Sequence, residues 1–271
     1  MNQNNFFSIK REIPDLNPDF IFDFFGFPIA SSTIFIFFII GVIILAIYIF
    51  SKFFNLKPKK SQVAIELIYE KTLDLIAQVT NDDRSHAKII FPIIGSMFVY
   101  LVISNLIGLI PGLTEIQYNG VSIFQPPTAD FNTTFGLALG SIIIINILSI
   151  KRDGILNFIE TFFNFRGVYR GFRRSISDGF IALVEFFVGL LDIIGEVAKV
   201  VSLSLRLFGN MYAGQVLALI LIGAFSYVIP SLWLAMNLFV GILQALVFTV
   251  LVATYYMLTI KTKEKDSVNT E

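Results

Sequence analysis

Residues 200–225 read VVSLSLRLFGNMYAGQVLALILIGAF. The run exceeds the roughly 20 apolar residues that cross a bilayer, contains no proline, and holds one charge, Arg206. Nothing acidic lies within nine residues on either side of that arginine. A guanidinium at the centre of a bilayer costs about 2.5 kcal/mol at the least. Intramembrane ionisable groups face a partner or a water-filled cavity and mark ion pathways.

Outward from this stretch the whole chain has the same character. Of its 271 residues, 55% are hydrophobic and only 15% charged, against about a quarter charged in a soluble domain; mean hydropathy is +0.77. Apolar segments lie at about 29–50, 89–110, 131–150, 180–225 and 232–260. Residues 61–80 place apolar side chains at helical spacing with acids elsewhere, the pattern of an amphipathic helix lying on the inner surface or docked on the protein's own spans. These readings predict an all-α membrane protein. About five helices are membrane-embedded, the last two long and strongly tilted, and a surface amphipathic helix accompanies them. The expected organisation is an external N-terminal segment (1–28), a single membrane domain (29–260) and a cytoplasmic tail (261–271). The first 28 residues include four acids and no apolar core, unlike a cleaved signal peptide.

The positions of lysine and arginine fix the expected orientation. Segment 51–88 carries Lys52, Lys57, Lys59, Lys60, Lys71, Arg84 and Lys88, segment 151–178 carries Lys151, Arg152, Arg166, Arg170, Arg173 and Arg174, and the tail adds Lys261, Lys263 and Lys265. Loops 111–130 and 226–231 have none. Alternation across five spans then puts the N-terminus outside and the C-terminus inside, with a bacterial inner membrane favoured over an organelle membrane. As one helix, 180–225 would be about 69 Å long. Division near Val201 would reverse the last span and carry the basic tail outside. No Gly, Pro or polar cluster near Val201 supports a turn, so one oblique helix is expected.

Asp192, Glu196, Lys199, Ser202 and Asn210 fall within about 80° of Arg206 around such a helix. Asp192 and Glu196 lie about 15 to 21 Å from Arg206 along the axis, too far for contact. The partner of Arg206 is therefore expected from another subunit. A carboxylate arriving there is held ionised, and on leaving for an apolar surface it takes up a proton. On the last helix Asn237, Gly241, Gln244 and Tyr255 lie within about 60° of one another, as interhelical hydrogen-bonding groups or as the lining of a polar path, and Gln244 is placed to meet the Arg206 helix.

Several classes are disfavoured. The chain has no cysteine and one histidine, His86, a poor basis for any metal site. No nucleophile–base pair or phosphate loop appears, so neither independent catalysis, a cofactor nor nucleic-acid binding is expected. No internal repeat supports a secondary transporter. A channel-forming homo-oligomer would gather identical arginines about its own axis.

SLSLRLFGNMYAG (202–214), ISNLIGLIPG (103–112), PPTADFNTTFGLALG (126–140) and LQALVFTVLVATYY (243–256) together resemble four blocks of subunit a of the rotary F-type ATP synthases, at the right positions and in the right chain order. The resemblance covers about residue 85 onward. It implies a non-catalytic stator that forms two offset proton half-channels against a ring of c subunits, with b subunits of the peripheral stalk and, through them, the catalytic head as further partners. It places the essential charge at Arg206 with Asn210 and Gln244 beside it, and an inner half-channel at Asp192 and Lys199, which Glu196 and Ser202 extend. Where many bacterial members carry glutamate and histidine on the outer side, this chain has Gln215 and Asn237. Two neutral amides can line a water path, with Glu115 or Asp130 at its mouth. The alternatives are a sodium-coupled version of the same subunit and a secondary ion transporter.

Overall fold

The computed structural model describes residues 20–24, 27–52, 60–80, 84–110, 117–118, 121–122, 125–162, 169, 173, 176–224 and 228–268. Its helices are α1 (Ser31–Ser51), α2 (Lys60–Thr80), α3 (Arg84–Gly108), α4 (Phe131–Asp153), α5 (Ile155–Phe162), α6 (Ile176–Ala224) and α7 (Val228–Val268). In hydrocarbon the backbone amides and carbonyls have no water to bond, and a helix pairs them within the segment. Among the described residues, four helices are long and apolar enough to cross a membrane, over Ser31–Ile49, Ala87–Gly108, Phe131–Arg152 and Ile229–Thr259. The chain is an all-α membrane protein.

The region that bears Arg206 is one helix. α6 runs unbroken for 49 residues, about 74 Å at the usual rise, with no turn at Val201. α7 starts ahead of the expected residue 232 because Pro230 falls in its first turn, where the missing N–H has no intrahelical partner to lose. It continues past residue 260 through the basic tail.

Two hairpins depart from the expected helices and connections. Strands β1 (Phe20–Phe24) and β2 (Phe27–Ala30) pair antiparallel, Phe24 opposite Phe27, and β3 (Gln117–Tyr118) pairs with β4 (Val121–Ser122). The first lies across the end of the expected external segment and leads directly into α1.

Packing divides the chain into two compact units. The first holds Met1–Thr134 and Leu205–Ala253, the second Phe135–Ser204 and Thr254–Glu271. In the first, α3 is the hub, packed by α1, α2 and the 3-10 turn Pro127–Ala129, with Ile90, Ile94 and Leu101 buried. α2 docks on α3 rather than lying free: the Tyr69 and Phe91 rings meet edge-on at 4.5 Å, and Leu73 and Ile76 are buried. Its other face exposes Glu66, Leu67 and Glu70. Among the described residues, α1 is held most closely at its start. Ser31 Oγ donates to Gln125 Oε1 at 3.0 Å, Ser32 Oγ to Asp130 Oδ2 at 2.6 Å, and Phe35 and Ile39 are fully buried. Beyond Gly41, residues Val42, Ile44, Leu45, Ile47, Tyr48 and Ile49 are all exposed.

In the second unit α4 ends at Gly154, whose φ of 84° is the left-handed conformation that glycine adopts without a Cβ clash. Its amide closes on the Ile150 carbonyl at 2.9 Å, and Lys151 and Arg152 face the negative end of the α4 dipole. Ala138, Ile142 and Ile145 of α4 and Tyr256 and Met257 of α7 are among its buried residues.

Candidate functional site

In the first unit, α6 turns Leu207, Met211 and Gly214 inward and leaves Arg206, Gly209, Asn210, Ala213 and Leu217 exposed. Arg206 makes no hydrogen bond or ion pair with any of the described residues, and stands on this exposed stripe among small neighbours. One turn further, Asn210 Nδ2 donates to Gln244 Oε1 of α7 at 2.8 Å; Gln244 is 5% exposed. The contact expected between Gln244 and the Arg206 helix is therefore present, as an amide-to-amide bond. Phe208 and Tyr212 stack at 5.3 Å, and Phe208 meets Phe131, the first residue of α4, edge-on at 5.7 Å.

A second set of polar links lies further along. The Gly214 carbonyl accepts from Trp233 Nε1 at 3.0 Å and from Asn237 Nδ2 at 3.2 Å. The approach is close: a Cβ at Gly214 would stand 3.1 Å from Asn237 Oδ1, so a larger residue there would require the Asn237 amide to shift. Gln215 follows Gly214 and is half-buried. From α3, Asn105 Nδ2 donates to the Gly241 carbonyl of α7 at 2.9 Å.

Asp130 is not a solvent-facing acid. It is 6% exposed and caps α4: Oδ1 accepts from the Asn132 amide at 3.0 Å, and Oδ2 accepts from Thr133 Oγ1 at 3.0 Å and from Ser32. An unbonded helix N-terminus draws such a carboxylate inward.

In the second unit, Lys199 has the internal carboxylate that Arg206 lacks, an ion pair with Glu196 one turn before it. Its ammonium also lies 5.3 Å from the centre of the Tyr255 ring, a cation–π distance. Glu196 borders a shallow groove of about 230 Å³ with Asn146, Phe158, Phe162 and Ile193. Asp192 and Ser202 are exposed. Glu115, Arg166, Arg170, Arg174 and residues 1–19 lie outside the described residues, as does the side chain of His86. No group of metal-ligating side chains occurs among the described residues.

Sequence reasoning did not single out Trp233, Ser32 or Asn105. Asn105 lies within ISNLIGLIPG, where a polar amide in an apolar run is a visible signal; Trp233, the one tryptophan of the chain, is another.

A family model described as ATP synthase A chain matches residues 32–257, a range that takes in Arg206 and every contact just described around it. The chain belongs to the ATP synthase A chain family. Among relatives in this family, the ATP synthase subunit a of Desulforamulus reducens is 34% identical over 207 residues, covering 73% of this chain and 66% of that protein. The ATP synthase subunit a, sodium ion specific, of Propionigenium modestum is 31% identical over 236 residues, 85% of this chain and 74% of its own length. The ATP synthase subunit a of a Geobacter species, strain M21, is 30% identical over 216 residues, covering 80% and 81%. The chain thus spans about two thirds to four fifths of the length of these ATP synthase A chain relatives.

Proposed function

We propose that this chain is the membrane stator, subunit a, of an F-type ATP synthase in a bacterial inner membrane, and that it couples proton flow to rotation of a c-subunit ring. One observation carries the reading: Arg206 is exposed, bonds to none of the described residues, and stands one turn from the Asn210–Gln244 pair. A fixed positive charge on an outer face with small neighbours suits a carboxylate arriving on a neighbouring helix. Such a carboxylate is held ionised beside Arg206 and gains a proton when it moves off into lipid.

The two half-channels follow from the separation of roles. On the inner side Asp192 and Ser202 are exposed, and Glu196 and Lys199 compensate each other's charge, a hydrated polar route from the cytoplasm. On the outer side Gln215 and Asn237 carry water through neutral amides, with Glu115 at the mouth; Asp130 serves instead as the cap of α4. Arg206 keeps the two routes apart because a proton is repelled by a fixed cation. The b subunits and the catalytic head complete the assembly, and chemistry on ATP belongs to the head.

The test is Arg206→Ala in the reconstituted complex. ATP synthesis driven by an ion gradient is expected to vanish while passive leak through the membrane sector rises; retained synthesis would overturn the proposal. The relative named as sodium ion specific supports a second reading, in which the same neutral outer amides pass sodium. Synthesis that survives a protonophore and follows an imposed sodium gradient would select it.

A further inference from the structure

Asn105 is 0% exposed, and its Nδ2 bond to the Gly241 carbonyl uses only half of its amide. The other half, Oδ1, is buried with no hydrogen-bond partner among the described residues. One turn along α7, Gln244 has the complementary need: Oε1 accepts from Asn210, while the Nε2 donor is buried and unmet. Residues three apart on a helix share a face, so Gln244 lies beside the point where Asn105 meets α7. The helices are close there, since a Cβ on Gly241 would stand 3.2 Å from Asn105 Cβ. Buried amide atoms without partners are costly, and native proteins meet such needs with protein groups or ordered water. An acceptor and a donor on neighbouring turns that do not bond each other are suited to one bridging molecule.

We propose that Asn105 Oδ1 and Gln244 Nε2 share a bound water, which makes Asn105 a positioning residue for Gln244 and, through it, for Asn210. Gln244 is then held at both ends of its amide. Rotation of that amide would lose the Asn210 bond and the water bond together. The relay passes from α3 through α7 to α6 and ends one turn from Arg206. Its consequence for ion passage rests on the stator reading above; the water site itself does not.

A density map of the assembled, unsubstituted complex tests the site directly. The expected result is a solvent peak within about 3.2 Å of both amide atoms. A direct amide–amide bond, or ordered side chains with nothing between them, overturns the proposal. ATP-driven proton pumping tests the relay. Asn105→Leu is expected to lower pumping about fivefold, the equivalent of one net hydrogen bond, and Gln244→Leu by more, since it also loses the Asn210 bond. The double substitution should be no worse than the poorer single within about twofold, because linked residues do not add; losses that multiply overturn the relay. Asn105→Asp, whose carboxyl in its neutral form both donates and accepts, is expected to pump within about twofold of the parent. A purely space-filling role would instead favour Leu as much as Asp. If Asn105→Leu fails to assemble, the map alone decides. Retained coupling in Arg206→Ala would remove the stator reading, and the solvent peak would still decide whether the water is there.

Discussion

Asp130 uses both carboxylate oxygens inside the protein, one on the first turn of α4 and one shared by Thr133 and Ser32. Replacement by alanine removes a cap and leaves a buried serine hydroxyl unmatched, a loss of about 1–2 kcal/mol for the cap alone. Asp130→Ala should therefore lower the thermal midpoint of the purified chain, while Asp130→Asn keeps most of it, because the amide oxygen still caps. The sequence could not separate this acid from one at a channel mouth, since Ser32 is 98 residues away. Arg206 and Asn210 share a face by helical periodicity, whereas Gln244, on another helix, was set beside them by the resemblance. Trp233 and Asn105 stand out as letters, but their partners did not, because each donates to a backbone carbonyl, of Gly214 or Gly241, and a carbonyl has no letter in the sequence. On the outer side the neutral pair is proposed to conduct through water, so Gln215→Leu should reduce proton flux in vesicles containing the complex; unchanged flux would remove Gln215 from the path.

Among the elements, the long helix was the most readable. With no breaker near Val201, α6 had no place to turn, and it does not turn. Docking of α2 was half-readable: its spacing defined an apolar face, but periodicity cannot distinguish a lipid surface from the side of α3. The buried side of that helix predicts its mutational behaviour. Ile76→Ala leaves a cavity under α2 and should cost about 2–5 kcal/mol, while Leu67→Ala, on the exposed side, should be nearly silent in the same unfolding assay. The hairpin at Phe20–Ala30 escaped notice because its aromatic residues run together without the polar alternation that marks a half-buried strand.

At the scale of the molecule, the basic segments remain the guide to orientation, and the proposed topology has the C-terminal tail inside. The absence of cysteine makes this simple to check. A thiol introduced by Lys263→Cys should react with an impermeant maleimide only in inverted vesicles, and one introduced by Asn2→Cys only in right-side-out vesicles. The attachment of α1 bears on how this chain tolerates change. Its first turns are fixed by two serines, Phe35 and Ile39, whereas beyond Gly41 most described side chains are exposed and only Ile43 and Ala46 among them are half-buried. Within this chain, that outer half answers to apolarity and length more than to side-chain fit. Exchanges there among Leu, Ile, Val and Phe should leave the unfolding midpoint unmoved, while Ser32→Ala, which loses the bond to Asp130, should lower it.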